Sequence, residues 1–150
     1  MTEILFYHLQ GQKLEGVLPG LLERSLERGW SVIVQGASEE RIEALDAHLW
    51  TYRDDGFLPH GTWREPDAAV QPVLLTPNDG NPNGATVRFL IDGAPMPADA
   101  GAYQRIVLMF NGEDEEAVAA ARAQWSDAKA KGFEATYWQP DEQGRWTKKA

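Results

Sequence analysis

Residues 31–49 read Ser-Val-Ile-Val-Gln-Gly-Ala-Ser-Glu-Glu-Arg-Ile-Glu-Ala-Leu-Asp-Ala-His-Leu, a strand followed at once by a helix. The short apolar run Val32-Ile33-Val34 is typical of a strand that is buried on both faces of a sheet. Ser38 is a suitable N-cap, and the two glutamates after it favour the positive end of a helix dipole. The helix then places three apolar side chains on one face: Ile42, Leu45 and Leu49.

The same alternation continues on either side of this unit. Before it, residues 3–9 form an apolar strand, and residues 14–28 have helical spacing up to a stop at Gly29. We expect the regular part of this first helix to begin near Pro19, because proline is tolerated at the first helical position. The elements predicted after the unit are strands at residues 73–76, 87–91, 105–110 and 134–139, a helix from Asn111 or Asp114 to about residue 131, and a short element at Trp146.

This order predicts an α/β fold, a three-layer α/β/α sandwich around a mostly parallel sheet. We expect residues 1–150 to form a single domain, since this length suits one hydrophobic core. The sandwich would be Rossmann-like without the phosphate-binding glycine motif, because the sequence contains neither Gly-x-Gly-x-x-Gly nor a Gly-Lys-Ser/Thr loop.

Composition narrows the class of protein. Hydrophobic residues make up 43% and charged residues 25%, an ordinary balance for a soluble globular protein. The absence of cysteine excludes disulfides and thiolate chemistry and fits a reducing cytoplasm, where we expect the protein to be. The amino-terminal residues resemble neither a secretion signal nor a membrane span.

The charge of the chain is negative but uneven. The net charge of −9 disfavours nucleic-acid binding by the surface as a whole, so we expect no direct, specific nucleic-acid partner. Residues 117–150 carry six basic and four acidic residues, +2 locally, which leaves −11 for residues 1–116. A basic end on an acidic protein suggests an anionic partner there, although charge alone favours the simpler explanation, a solvated helix face.

Signals for catalysis are weak. The three histidines, His8, His48 and His60, lie in different elements and lack the spacing of zinc ligands. Asp54-Asp55 and residues 113–116 offer carboxylates, but a turn and a helix amino terminus explain them more simply. We therefore expect no catalytic residues, no cofactor and no metal.

Residues 49–61 concentrate apolar side chains around a turn. Trp50, Phe57, Leu58 and Pro59 surround the turn-forming residues 53–56. Because connecting segments run over the surface, these side chains are either a packed lid over a sheet edge or an aromatic anchor for a partner protein.

The last predicted helix carries a second candidate site. Arg122, Trp125, Ser126 and Lys129 are spaced i, i+3, i+4 and i+7, so they share one face. A guanidinium, an indole and an ammonium on one stripe could hold a carboxylate beside an apolar side chain, as in the capture of a peptide carboxyl terminus. From spacing alone, a core tryptophan flanked by solvated charges is as plausible.

Several stretches together resemble the chi subunit family of the bacterial DNA polymerase III holoenzyme, and their order and spacing hold over nearly the whole chain. They are Phe6-Tyr7-His8-Leu9; Leu18-Pro19-Gly20-Leu21-Leu22-Glu23 with Arg28-Gly29-Trp30; Leu45-Asp46-Ala47-His48-Leu49-Trp50; Phe57-Leu58-Pro59-His60-Gly61; Gln71-Pro72-Val73-Leu74-Leu75; and Ala121-Arg122 through Gly132-Phe133.

The resemblance implies a non-catalytic accessory subunit of the clamp loader in DNA replication, with two partners. One is the psi subunit, on a surface that would include Trp50, Phe57, Leu58 and Pro59. The other is the acidic carboxyl-terminal tail of single-stranded DNA-binding protein, which ends in Pro-Phe. Its implied site comprises Arg122, Trp125, Ser126, Lys129 and Tyr137. Ser126 stands where the family has a lysine, and Lys129 lies one turn further along.

Two other classes of function remain open at this point. One is a small nucleotide- or metabolite-binding α/β enzyme with its site at the carboxyl ends of the strands. The other is a purely structural protein in which the aromatic stretch is a lid.

Overall fold

The computed structural model describes residues 2–53 and 57–150. Within these residues, eight strands, three α-helices and two short 3₁₀ helices (Ala68–Val70 and Ala100–Ala102) follow one another. The strands are β1 (Glu3–Leu9), β2 (Val32–Gln35), β3 (Gly61–Thr62), β4 (Val73–Thr76), β5 (Val87–Leu90), β6 (Arg105–Asn111), β7 (Glu134–Pro140) and β8 (Trp146–Lys148). The helices are α1 (Leu14–Glu27), α2 (Glu39–Thr51) and α3 (Glu115–Ala130). None of these helices is long and apolar enough to span a membrane.

The strands form one sheet in the order β3-β4-β2-β5-β6-β1-β7-β8. Every neighbouring pair is parallel except β7 and β8, which are antiparallel. Alternate strand residues pack on the two faces: Val32 and Val34 belong to the core on the face of α1 and α2, whereas Ile33 belongs to the core on the face that carries α3. This confirms the predicted three-layer sandwich around a mostly parallel sheet.

The first helix begins earlier than the sequence suggested. It starts at Leu14, and Pro19 lies inside it instead of at its first position. Proline cannot donate to the carbonyl four residues earlier, which here is that of Glu15. The His48 ring on α2 supplies the missing donor, because its Nε2 lies 2.9 Å from the Glu15 carbonyl oxygen. The helix therefore continues through a proline because its neighbour satisfies the freed carbonyl.

The amino-terminal caps of α2 and α3 are residues that the sequence predicted as caps or helix starts. The Ser38 hydroxyl accepts a hydrogen bond from the Arg41 amide at 3.2 Å. Of the two starts considered for α3, the structure uses Asp114, whose carboxylate accepts from the amides of Glu116 and Ala117. Both side chains satisfy amide donors that the first turn of a helix leaves free.

β3, a strand of two residues, was not predicted from the sequence. β3 pairs with β4, Gly61 opposite Leu74, and the Trp63 amide extends the pairing by donating to the Leu75 carbonyl at 3.0 Å. So short a strand has no detectable period of its own. It forms because the chain returning from α2 passes along the open edge of β4.

A fully buried arginine, Arg88 on β5, organises the half of the sheet that α3 does not cover. Its guanidinium donates to the Gln35 side chain at 3.2 and 2.6 Å and to the Tyr103 hydroxyl at 2.9 Å. It also donates to the carbonyls of Asn78 and Gly80, at 3.1 and 2.7 Å. All five guanidinium protons are thereby used, and two irregular segments are fastened over the sheet.

Replacing Arg88 with Met should destabilise the fold by about 3 kcal/mol or more, since several buried acceptors would lose their donor. Urea unfolding followed by circular dichroism measures this. The matched control is Arg64→Met, which removes an exposed arginine paired with Glu39 and Glu43 and should cost less than about 1 kcal/mol. Equal losses in the two variants would contradict the role assigned to Arg88.

Candidate partner-binding surfaces

Two large aromatic side chains are exposed at the β3 edge of the sheet. Trp50 in the last turn of α2 is 53% exposed, and Phe57 in the following connection is 72% exposed. Their ring centroids lie 6.2 Å apart, and Pro59 is partly exposed beside them in sequence. We call Trp50, Phe57 and Pro59 the aromatic edge surface. Aromatic rings left exposed together are typical of interface centres.

Two buried residues hold this surface in place. Leu58 is only 2% exposed and belongs to the core beneath α1 and α2, so it anchors the connection and presents nothing to a partner. His60 is also buried, and its ring centroid lies 4.4 Å from that of Trp50. The His60 ring bridges the connection to α2, with Nδ1 2.7 Å from the Leu58 carbonyl and Nε2 3.1 Å from an Asp46 carboxylate oxygen. Of the four residues predicted to face a partner here, three therefore reach the surface.

Two groups of carboxylates, Asp54-Asp55 and residues 113–116, are the alternatives that the sequence offers for a metal site. Asp54 and Asp55 lie outside the described residues. Across residues 2–53 and 57–150, no three His, Asp or Glu side chains are grouped so that they could hold a metal ion.

The second candidate site lies between α3 and β7, and we call it the α3 surface: Arg122, Trp125, Ser126, Lys129 and Tyr137. Trp125 is half-buried and packs edge-on against Phe6 at 5.4 Å and Tyr137 at 6.0 Å. Lys129 places its ammonium 5.0 Å from the Trp125 ring centroid. Arg122, Ser126 and Lys129 are exposed. The indole thus packs against core residues on one side and borders exposed basic side chains on the other.

His8 joins this surface from β1, although its position in the sequence gave no sign of it. Its Nδ1 lies 2.5 Å from the Tyr137 hydroxyl and 3.5 Å from the Gln139 side-chain nitrogen. The 2.5 Å contact is a hydrogen bond that joins β1 to β7 through the His8 ring and the Tyr137 hydroxyl. Burial, and then the positive charge of Arg122, lower the pKa of His8 from its ordinary value. Burial also raises the pKa of the Tyr137 hydroxyl.

Lys149 is a further basic residue at the α3 surface. Its amide donates to the Tyr137 carbonyl at 2.7 Å, so it continues the pairing of β8 with β7. Residues paired across two strands project from the same face of a sheet, which places Lys149 on the face of Tyr137 and α3. Gly112 closes the other end of this region. A Cβ there would meet His8 Nε2 at 1.9 Å, so any larger residue would displace the ring.

The crevice that nucleotide-binding relatives of this fold use is unsuited to phosphate here. Adjacent strands β1 and β6 send α1 and α3 to opposite faces, which opens a crevice at their carboxyl ends. The cavity there has a volume of about 730 Å³. Five carboxylates and only two cations line it: Glu15, Asp92, Glu113, Asp114, Glu116, Lys13 and Arg41. Arg41 is already paired with Glu15 and Asp92, so this field disfavours an anionic nucleotide.

The link between Arg122 and His8 predicts a measurable titration. His8 should titrate below its ordinary value of 6.5, and its pKa should rise in Arg122→Ala because a neighbouring positive charge is removed. Since folding depresses this pKa, His8 contributes stability above about pH 6.5 that is lost as pH falls through the folded pKa. Imidazole NMR signals followed from about pH 8 to 5 report it. The control is Lys131→Ala, which removes a lysine paired with Asp127 and should leave the pKa of His8 unchanged. A His8 pKa at or above 6.5 in the wild type would contradict this geometry.

Comparison with known proteins agrees with the resemblance seen in the sequence. The model of the family "DNA polymerase III chi subunit, HolC" matches residues 1–136, most of the chain. The chain is also similar to a probable DNA polymerase III subunit chi of Rickettsia prowazekii (strain Madrid E), with 29% identity over 91 residues. That match covers 61% of this chain and 55% of the relative, so it spans little more than half of each protein. On the extent of the family match, the chain belongs to the DNA polymerase III chi subunit family.

Proposed function

We propose that this chain is a non-catalytic subunit that couples the clamp loader of DNA polymerase III to single-stranded DNA-binding protein during replication. The psi subunit, or an equivalent clamp-loader component, docks on the aromatic edge surface. The acidic carboxyl-terminal tail of single-stranded DNA-binding protein docks on the α3 surface. The observation that carries the proposal is the placement of these two surfaces near opposite edges of one sheet, by β3 and by β7–β8. An adaptor needs such a separation to hold two partners at once.

The chemistry of the aromatic edge surface favours a protein partner. Among the large hydrophobic side chains of the described residues, only Trp50, Phe57 and Val70 are exposed. Trp50 and Phe57 lie together and Trp50 rests on the buried His60 ring, so its orientation is set before a partner arrives. A preorganised aromatic anchor loses little conformational entropy on binding.

The α3 surface combines the features that an acidic peptide ending in Phe requires. Arg122 can take the terminal carboxylate or a nearby Asp in a charge-assisted hydrogen bond. The rings of Trp125 and Tyr137 offer a wall for the phenylalanine. Lys129 and Lys149 add long-range attraction. Ser126 supplies no charge, so we expect weak binding, with a dissociation constant of micromolar order and a binding free energy of about −8 kcal/mol or less favourable.

Truncation of Phe57 tests the first surface. Phe57→Ala should weaken binding to psi by at least roughly 2 kcal/mol, the scale of an interface hot spot, with little change in folding stability. Isothermal titration with purified psi measures the affinity. Val70→Ala is the matched control, because Val70 is 77% exposed yet lies outside the aromatic edge surface. If Phe57→Ala binds psi as tightly as Val70→Ala, the psi partner docks elsewhere.

A titration of labelled tail peptide tests the second surface. Arg122→Ala should weaken binding, whereas Ser126→Lys should tighten it by adding a cation one turn from Arg122. Binding should also weaken as salt rises past about 0.1 M, where the screening length falls to about 10 Å. Lys131→Ala removes an equal charge from a lysine that already pairs with Asp127, and it should bind as the wild type does. Unchanged affinity in a folded Arg122→Ala protein would move the site off this helix.

A further inference from the structure

A cluster of arginines lies on the face of the sheet that α1 covers, opposite the α3 surface, at the amino ends of the strands. Arg24, Arg28 and Arg105 line a cavity of about 100 Å³ between α1 and the sheet. Gly29, with φ of +79°, turns the chain back so that the Trp30 amide donates to the Ser25 carbonyl at 3.1 Å. The guanidinium carbons of Arg28 and Arg105 each lie 4.9 Å from the Trp30 ring centroid.

The charge of this cluster is only partly neutralised. Arg105 pairs with Glu3 at 2.5 Å, but no carboxylate of the described residues pairs with Arg24 or Arg28. Tyr7 lines the same cavity. Burial raises the pKa of its hydroxyl, while the three arginines act in the opposite direction and only Glu3 adds to the rise. A net positive field on a chain of charge −9 indicates a local anion site.

An aromatic platform adjoins the cavity. The Tyr7 ring centroid lies 4.7 Å from that of Trp146 and 6.2 Å from that of Trp138, with the Tyr7 and Trp138 planes only 21° apart. Both indoles are only half-buried, at the edge of the core beneath α1 and α2. Lys148 is exposed and paired with Trp138 across the strands, so it projects from the same face. We call these residues the basic aromatic face: Tyr7, Arg24, Arg28, Trp138, Trp146 and Lys148.

We propose that the basic aromatic face binds single-stranded nucleic acid without sequence preference. The guanidiniums of Arg24 and Arg28, which no described carboxylate pairs, would hold the phosphate backbone, and the half-buried indoles of Trp138 and Trp146 would each stack a base. Exposed cations next to partly exposed rings favour a strand of bases over an acidic peptide, which presents few flat rings. The low overall affinity expected of an acidic protein is compatible with such a local contact. The segment 137–150, which supplies both tryptophans, lies beyond the part that matches the family.

The experiment is a fluorescence-anisotropy titration of the full chain with a labelled oligothymidine of about 16 nucleotides, the upper site size of a single-strand-binding module. In about 50 mM salt we expect a dissociation constant of about 10⁻⁴–10⁻⁶ M, with affinity falling as salt rises. Arg28→Glu should lower the affinity at least tenfold. Trp146→Ala should lower it roughly tenfold through lost stacking, and Trp146→Phe should retain most of it.

The control for charge is Arg64→Glu. Arg64 also lies beside an indole, 4.8 Å from the Trp63 centroid, but two carboxylates pair with it. This variant changes the net charge by the same amount and should bind within twofold of the wild type. Circular dichroism confirms that each variant is folded. No binding by the wild type, equal losses in Arg28→Glu and Arg64→Glu, or equally effective competition by polyglutamate would each overturn the proposal. Because the tail peptide is titrated separately, either site can fail without the other.

Discussion

The buried guanidinium of Arg88 is the interaction on which one whole layer of this protein depends. An α/β sandwich normally covers both faces of its sheet with helices. In the described part of this chain, one face carries a single α-helix, α3, which packs against β6, β1 and β7 and leaves the other strands of that face without a helix. The strands on the other side of β6 are covered mainly by loops, with short 3₁₀ turns at Ala68–Val70 and Ala100–Ala102, so most of the covering backbone lacks the internal hydrogen bonds of an α-helix. Arg88 supplies donors to two carbonyls of that backbone and to Tyr103, so it ties the covering loops to the sheet where a helix would otherwise pack.

Aromatic rings lie near both edges of the sheet. On the β3 edge, buried Leu58 and His60 hold the connection while Trp50 and Phe57 remain outside. On the β7–β8 edge, Trp125 and Tyr137 pack against the core with one side and line a basic surface with the other. In both places a ring fixed by core contacts is presented to solvent, which gives a rigid site without an enclosed pocket.

The last strand distributes charge to both faces of the sandwich. Lys148 and Lys149 follow one another in the chain, and successive strand residues project to opposite faces. Lys149 therefore joins the α3 surface while Lys148 joins the basic aromatic face, on a protein whose remaining surface is mostly acidic. A peptide on one face and a nucleic-acid strand on the other would not compete for space, although both depend on the same short strand.

Most of the fold could be predicted from local sequence because its signals act within a few residues. The cap at Ser38, the stop at Gly29 and the apolar run Val32-Ile33-Val34 each determine their own element, and together they specify the alternation of strands and helices. The stripe of Arg122, Trp125 and Lys129 likewise follows from helical spacing, since neighbours one turn apart share a face. Exposure of Trp50 and Phe57 was one of two outcomes that the sequence allowed.

Only the tertiary structure decided the features that join distant residues. Pro19 lies within α1 because His48, 29 positions along the chain, supplies a donor to Glu15. β3 exists because the edge of β4 is open to pairing. Leu58 is buried because it packs in the core formed with α1 and α2. The hydrogen bond between His8 and Tyr137 spans 129 positions, and that between Arg88 and Gln35 spans 53. Such contacts depend on how the sheet orders its strands, and no periodicity within a strand or helix records that order.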